Sequence, residues 1–193
     1  MHNSTVDSDF SFLEGTNCYC SDESAEIIRE KIKTLPLNAV HLIGTGDYHY
    51  LTYFWTERIG VPFHLVLFDN HPDDQDGAFE NGGLSCGNWV KSVRKLPACI
   101  GDAWNAEQLP YEKGASLYIS IDLDVLSEKD ARTNWDQGDM TLECLTGILT
   151  RIKRNYNIIG VDICGGISES KGGTENDELI NGRARSGIIR IFL

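Results

Sequence analysis

Apolar positions along the chain alternate between two rhythms. Ala25, Ile27, Ile28, Ile32 and Leu35 recur at helical spacing behind the capping types Ser21 and Asp22, and Pro36 ends the run. Ala39–Ile43 is short and apolar and predicts a buried strand, and Tyr50–Ile59 predicts a helix. Phe63–Phe68 predicts a second strand, followed by a Gly- and Asp-rich loop from Asn70 to Gly87. Further on the pattern predicts a helix over Asn88–Leu96, a short strand at Ala98–Ile100 and a strong strand at Ser116–Ile121. Thr141 heads a helix to about Arg154 with Leu145, Ile148, Leu149 and Ile152 on it. A strand follows at Asn157–Asp162, and a last one is expected over Gly187–Leu193. Residues 1 to about 20 are polar and predict a tail or an edge segment.

Apolar strands alternating with amphipathic helices give an α/β fold, three-layer αβα, with a mostly parallel doubly wound sheet. The 193 residues predict one domain spanning residues 1–193, without a second independent one. In such folds ligands sit beyond the carboxyl ends of the strands.

Composition narrows the function. Hydrophobic residues at 41% and charged residues at 24% are those of a globular protein, not a disordered one. A net charge of −12 argues against nucleic acid and anionic membrane surfaces, and suits metal ions or cationic substrates. The polar N-terminus has no signal-peptide pattern, and no apolar run nears the ~20 residues that span a bilayer, so a cytoplasmic location is expected. Six cysteines without a CxxC pair read as reduced thiols rather than a zinc ribbon.

Candidate chemistry collects at the predicted strand ends. Gly46-Asp-Tyr-His49 follows the first strand, Asp69-Asn-His71-Pro-Asp73 the second, and Asp122-Leu-Asp124 ends the strong one. Residues i, i+2 and i+4 of an extended segment share a side, and Pro72 keeps that segment extended, so Asp69, His71 and Asp73 can converge. An oxygen-rich set with two imidazoles suits Mn²⁺, with Fe or Zn as alternatives. Four crowded carboxylates resist ionising unless cations are present, and two divalent ions balance their charge. The blander reading, in which aspartates after strands cap helices and shape turns, is assigned to Asp74 and Asp76. His41, inside an apolar strand, reads as a core histidine, and His64 begins its strand on the side away from the site. Trp104, Trp135 and Gly172-Gly173 read as loop residues, with Glu169–Glu178 as a lid.

Gly44-Thr-Gly-Asp-Tyr-His49, Phe68-Asp-Asn-His-Pro-Asp73 and Ser120-Ile-Asp-Leu-Asp124 resemble the three metal motifs of the ureohydrolase (arginase and agmatinase) superfamily, in the family's order. The resemblance covers about Val40 to Cys164, and the first motif is looser because Tyr48 is inserted before His49. It implies two Mn²⁺ ions per chain, bridged by Asp69 and Asp122, with His49 and Asp73 completing one shell and His71 and Asp124 the other. Asp69 and Asp122 are thereby the catalytic carboxylates. Ser85-Cys-Gly-Asn88 is similar to a substrate-contacting segment of the family. The implied reaction is attack of metal-bound hydroxide on a guanidinium carbon, releasing urea and an amine.

Two departures matter. Trp89-Val90 stand where arginases carry a shuttle histidine, and Gly165 stands where they hold the guanidinium with a glutamate. Glu169, Glu175 and Asp162 are the open substitutes. The short chain and the Asn88-Trp89 pair resemble peptide arginases, which convert arginine within a peptide to ornithine. Candidate substrate contacts are therefore Ser85, Asn88, Trp89 and Glu169. The expected partner is a small guanidino substrate or an arginine-containing peptide, with no nucleic acid or membrane and with self-association left open. Two alternatives are retained, another C–N (amide) hydrolase on the same fold and a non-catalytic metal-binding relative.

Overall fold

The computed structural model describes residues 4–76, 83–107, 109, 110 and 112–193. Its framework is one sheet of six strands, β1 (Thr5–Asp7), β2 (Val40–Leu42), β3 (Phe63–Phe68), β4 (Cys99–Trp104), β5 (Ser116–Asp122) and β6 (Asn157–Cys164). They lie in the order β1-β2-β6-β5-β3-β4, every pair parallel. The sheet is thus wholly rather than mostly parallel. The polar N-terminal segment supplies its edge: Thr5, Val6 and Asp7 pair with Val40, His41 and Leu42.

Side chains alternate across β3 and divide between two cores. Phe63, Leu65 and Leu67 pack with Ile28, Phe54, Trp55 and Trp89 beneath α1 (Asp22–Ile32), α2 (Leu51–Thr56) and α3 (Trp89–Arg94). Val66 and Phe68 pack with Ile119, Ile121, Leu145, Leu149 and Ile188 beneath α4 (Leu142–Asn155) and α5 (Glu175–Phe192). Helices therefore cover both faces. Ser21 and Thr141 cap α1 and α4, accepting from the backbone amides of Ser24 and Cys144.

One predicted element is wrong. Gly187–Leu193 is not a strand but the end of α5, an 18-residue helix started by a capping box between Thr174 and Asp177. Its buried residues, Asn181, Ala184, Ile188 and Phe192, follow helical spacing, and burying that stripe outweighs the local β-propensity of the isoleucines. β4 also runs longer than expected, to Trp104. His41 is a satisfied core residue. Its Nε2 lies 2.9 Å from Pro36 O, its Nδ1 3.3 Å from Tyr118 Oη, and its ring stacks on Trp55 at 3.6 Å. Burial pushes its pKa down to about 4, so the ring is neutral. His64 sits at the amino end of β3, away from the carboxyl ends. No helix among the described residues is long and apolar enough to cross a membrane.

Candidate metal centre

Three chain reversals at the carboxyl ends of the sheet deliver the candidate donors. After β2 the chain enters a 3-10 turn, Gly46–Tyr48, that closes on His49. Gly46 is required there, because a Cβ would come within 2.8 Å of Asp122 Oδ2 and 2.9 Å of Trp135 Cδ1. The inserted Tyr48 is buried in this turn. After β3, the His71 amide donates to Asp69 Oδ1 at 2.6 Å, and Asp73 adopts a left-handed φ of 46°. The segment is therefore turned rather than extended, contrary to the expectation from Pro72, and its side chains converge by that turn. At the end of β5 the Asp124 amide donates to Asp122 Oδ1 at 2.9 Å and opens a second 3-10 turn, Leu123–Val125.

Two overlapping donor groups result, His49/Asp69/Asp73 and Asp69/His71/Asp124, in each of which the ligand atoms lie within 4.8 Å of one another. His49 Nδ1 is 3.1 Å from both Asp69 Oδ2 and Asp73 Oδ2 and 3.8 Å from Asp122 Oδ2. His71 Nδ1 is 2.9 Å from Asp124 Oδ2 and 3.5 Å from Asp69 Oδ1. Asp69 belongs to both groups. A third, His49/Asp122/Cys164, adds a buried thiol that donates to Asp122 Oδ2 at 3.1 Å. All but His71 are buried, and the six face a cavity of about 360 Å³.

Buried neighbours orient these donors. Ser120 Oγ donates to Asp162 Oδ1 at 2.7 Å and lies 2.8 Å from His49 Nε2. With its own proton committed, Ser120 accepts from Nε2–H, so Nδ1 is the nitrogen turned to the carboxylates and the one whose proton a metal ion would displace. Trp89 Nε1 donates to Asp73 Oδ2 at 2.7 Å, and the Asn70 amide to Asp124 Oδ1 at 3.0 Å. Charge in the cluster is unbalanced, with four carboxylates against two imidazoles. Burial, then Asp122 and Asp69, push Asp124 up to about 9, and burial and Asp69 push Asp122 up to about 6. Asp69 is held down to about 2 because His49 and His71 outweigh its burial. Burial works against a charge on His49, yet Cys164, Asp69 and Asp73 hold its pKa well above the ordinary value. Without cations the cluster compensates its negative charge by keeping protons.

No protein-family model matches the chain. An uncharacterized protein of Thermotoga maritima is 34% identical over 144 residues, covering 65% of this chain and 57% of that protein, so the chain spans little more than half of that relative's length. Solved structures superpose on most of the chain. The proclavaminate amidino hydrolase of Streptomyces clavuligerus does so with a TM-score of 0.66 at 11% identity, over 88% of this chain and 69% of that one. An arginase from Medicago truncatula gives 0.63 at 14%, over 89% and 65%. A Trypanosoma cruzi formiminoglutamase with Mn²⁺ gives 0.63 at 10%, over 89% and 73%. The fold is that of the ureohydrolases.

Within this ureohydrolase fold, the sequence-derived substrate contacts divide. Ser85 lines the cavity. The Asn88 side chain is engaged within its own loop, accepting from the Ser85 amide and donating to Gly83 O, both at 2.8 Å. Trp89 is fully buried and reaches Asp73, so it borders the donors from behind and cannot line an open groove. Glu169 opens a 3-10 turn, Glu169–Lys171, but its side chain lies outside the described residues. Asp162 is buried under Ser120 and does not reach the cavity, and Glu175 begins α5 on another surface. Gly165 has φ 103°, and a Cβ on it would lie 2.7 Å from Asp122 Oδ1. The lid expected at Glu169–Glu178 is tied down, by Lys171 Nζ donating to Asp47 Oδ2 at 2.7 Å and by the capping box of α5.

Sequence reasoning missed two tryptophans. Trp104 Nε1 donates to Asp69 O at 2.9 Å, and Trp135 forms part of the cavity wall, with its ring edge-on to His71 at 6.0 Å. Nothing in the local sequence distinguishes them from loop residues. Asp47 also escaped notice. It is buried and accepts from Lys171, Asn134 and Trp135, joining three loops around the cavity.

Proposed function

We propose that the chain is a divalent-metal-dependent hydrolase of the ureohydrolase superfamily that cleaves a guanidino C–N bond, consuming water and yielding urea and an amine. The observation that carries this reading is the pair of overlapping donor groups that share Asp69 at the strand ends. The donors fit divalent ions: six oxygen and nitrogen side chains with excess negative charge suit two Mn²⁺. Asp69 and Asp122 would bridge them, His49 and Asp73 would hold one, and His71 and Asp124 the other. Bound there, the ions would supply Lewis acidity and lower the pKa of a water.

The chain's own groups prepare that site. Ser120, ordered by Asp162, keeps His49 oriented with Nδ1 turned to the carboxylates. Trp89 and Cys164 fix Asp73 and Asp122 by hydrogen bonds. The donors other than His71 have little contact with solvent, whereas the His71 side chain is 32% exposed. Outside the six donors, the described cavity lining of Cys18, Tyr19, Gly46, Gln75, Ser85, Cys86, Gly87 and Trp135 carries no cation. An α-carboxylate would meet only neutral donors among these described residues, such as Ser85 and Gln75. The lack of a charged partner favours an arginine side chain within a peptide, or a guanidine without a carboxylate.

A second reading, hydrolysis of a related C–N bond such as a formimino group, draws on the absence of a carboxylate at Gly165. One panel tests both. Mn-loaded protein is offered arginine, agmatine, an arginine-containing peptide and a formimino compound, and urea and formamide are measured. Urea from the peptide or agmatine, tenfold faster in kcat/KM than from arginine, is the expected result. Formamide alone favours the second reading, and no product from any compound leaves a non-catalytic metal-binding protein.

A further inference from the structure

Trp135 lies between β5 and α4 and is an unusual side chain to leave 41% exposed. Two neighbours fix it. Its Nε1–H donates to Asp47 Oδ1 at 3.1 Å, and its Cδ1 edge fills the space where a Cβ on Gly46 would stand. Asp47 is itself pinned by Lys171 at 2.7 Å and Asn134 at 3.3 Å. The ring is therefore held on the cavity wall beside His71 by specific contacts rather than by burial. Its N–H, given to a carboxylate, leaves the indole richer in electron density, which favours a cation on its surface.

Among the described residues, the rest of the wall offers no side chain to pair with a cation. Outside the six donors, none of its described residues is acidic. Gly165 has no room for a side chain, since a Cβ would lie within 2.8 Å of Leu123 as well as 2.7 Å from Asp122. We propose that Trp135 is the substrate-binding residue for a flat organic cation, taking a guanidinium or similar group against its ring in place of an ion pair. The inference rests on the proposed guanidino chemistry for its substrate but not for its binding mode.

The test compares wild type with Trp135→Leu and Trp135→Phe at equal metal content, by calorimetric titration of agmatine and by urea release. Trp135→Leu should weaken agmatine binding, and raise KM, at least tenfold with kcat within about twofold. Trp135→Phe, which keeps an aromatic face but loses the bond to Asp47, should fall between wild type and Trp135→Leu. Equal agmatine affinity in all three proteins overturns the inference even if urea is released, and the guanidino reading then stands alone. A tenfold loss in Trp135→Leu without urea release from any protein upholds the inference and sinks the reading of the reaction. Should Trp135→Leu shed its ions, the wild-type indole resonance decides. A shift on adding agmatine but not neutral urea supports the contact, and no shift overturns it.

Discussion

Trp89 Nε1–H donates to Asp73 Oδ2 at 2.7 Å, and that same oxygen lies 3.1 Å from His49 Nδ1. The first turn of α3 thus holds a donor that the left-handed backbone at Asp73 has turned inward. Outer hydrogen bonds of this kind typically change metal affinity by about 10–100-fold. Trp89→Phe keeps the ring beside His49 but removes the donor, and should weaken Mn²⁺ binding by at least about tenfold. Calorimetric titration checks it, and unchanged affinity would show that the bond is incidental.

Asp69 stands in both donor groups, whereas Asp73 and Asp124 each stand in one. Asp69→Asn should therefore retain neither ion after dialysis, while Asp73→Asn and Asp124→Asn each retain one. Elemental analysis of the three proteins reads the stoichiometry. Equal loss in all three would contradict a shared carboxylate.

Ion binding should displace protons. Asp124, pushed up by burial and the neighbouring carboxylates, and His71, pushed up by Asp69 and Asp124, titrate as a pair that retains proton at neutral pH in the ion-free fold. Affinity for Mn²⁺ should thus climb as pH rises from 6 to 9, with protons released at pH 7. The sign for stability is the opposite. Groups whose pKa is raised by folding stabilise the ion-free protein at low pH, and that contribution fades as pH rises through the folded values. Chelation should therefore lower Tm more at pH 8 than at pH 5.5. Titration in buffers of different ionisation enthalpy counts the protons, and a pH-independent Tm gap would refute the coupling.

His41 should dominate a separate acid response. Its pKa falls from 6.5 unfolded to about 4 folded, so protons favour the unfolded chain in that window and stability falls as pH drops through it. The full shift corresponds to about 3 kcal/mol. His41→Asn, although less stable overall, should lose less stability between pH 6.5 and 4 than wild type in urea melts. Parallel pH curves for the two proteins would rule the assignment out.

Gly165→Ala should cost about 2 kcal/mol or more, from a strained φ and contact with Asp122, and should weaken ion binding with it. Urea melts with and without Mn²⁺ separate the two effects, and a neutral substitution would mean that the loop relaxes.

Most of the scaffold was legible because its central strands are continuous apolar runs. Phe63–Phe68 and Ser116–Asp122 are buried on both faces and permit no other reading of comparable length. The clustering of the six candidate donors was legible for a related reason, since in a parallel sheet the residues just after a strand lie at one end of the fold. The C-terminal helix was misread because its isoleucines look like a strand over seven residues, while the deciding signal spans eighteen. That signal was present, as the Thr174-x-x-Asp177 box and the Ala184, Ile188, Phe192 spacing. The cavity wall was the least legible part. Trp135 and Lys171 meet Asp47 only through contacts 88 and 124 residues apart in sequence, which no local pattern records.

The close approach at Gly165 also bears on how selectivity could be altered. A glutamate there would drive its Cβ into Asp122, so this backbone does not admit an acidic side chain at position 165. The backbone of the β6 exit and the start of the Leu123 turn would have to move first. With this backbone in place, a change in substrate preference is to be sought in the surrounding wall rather than at position 165.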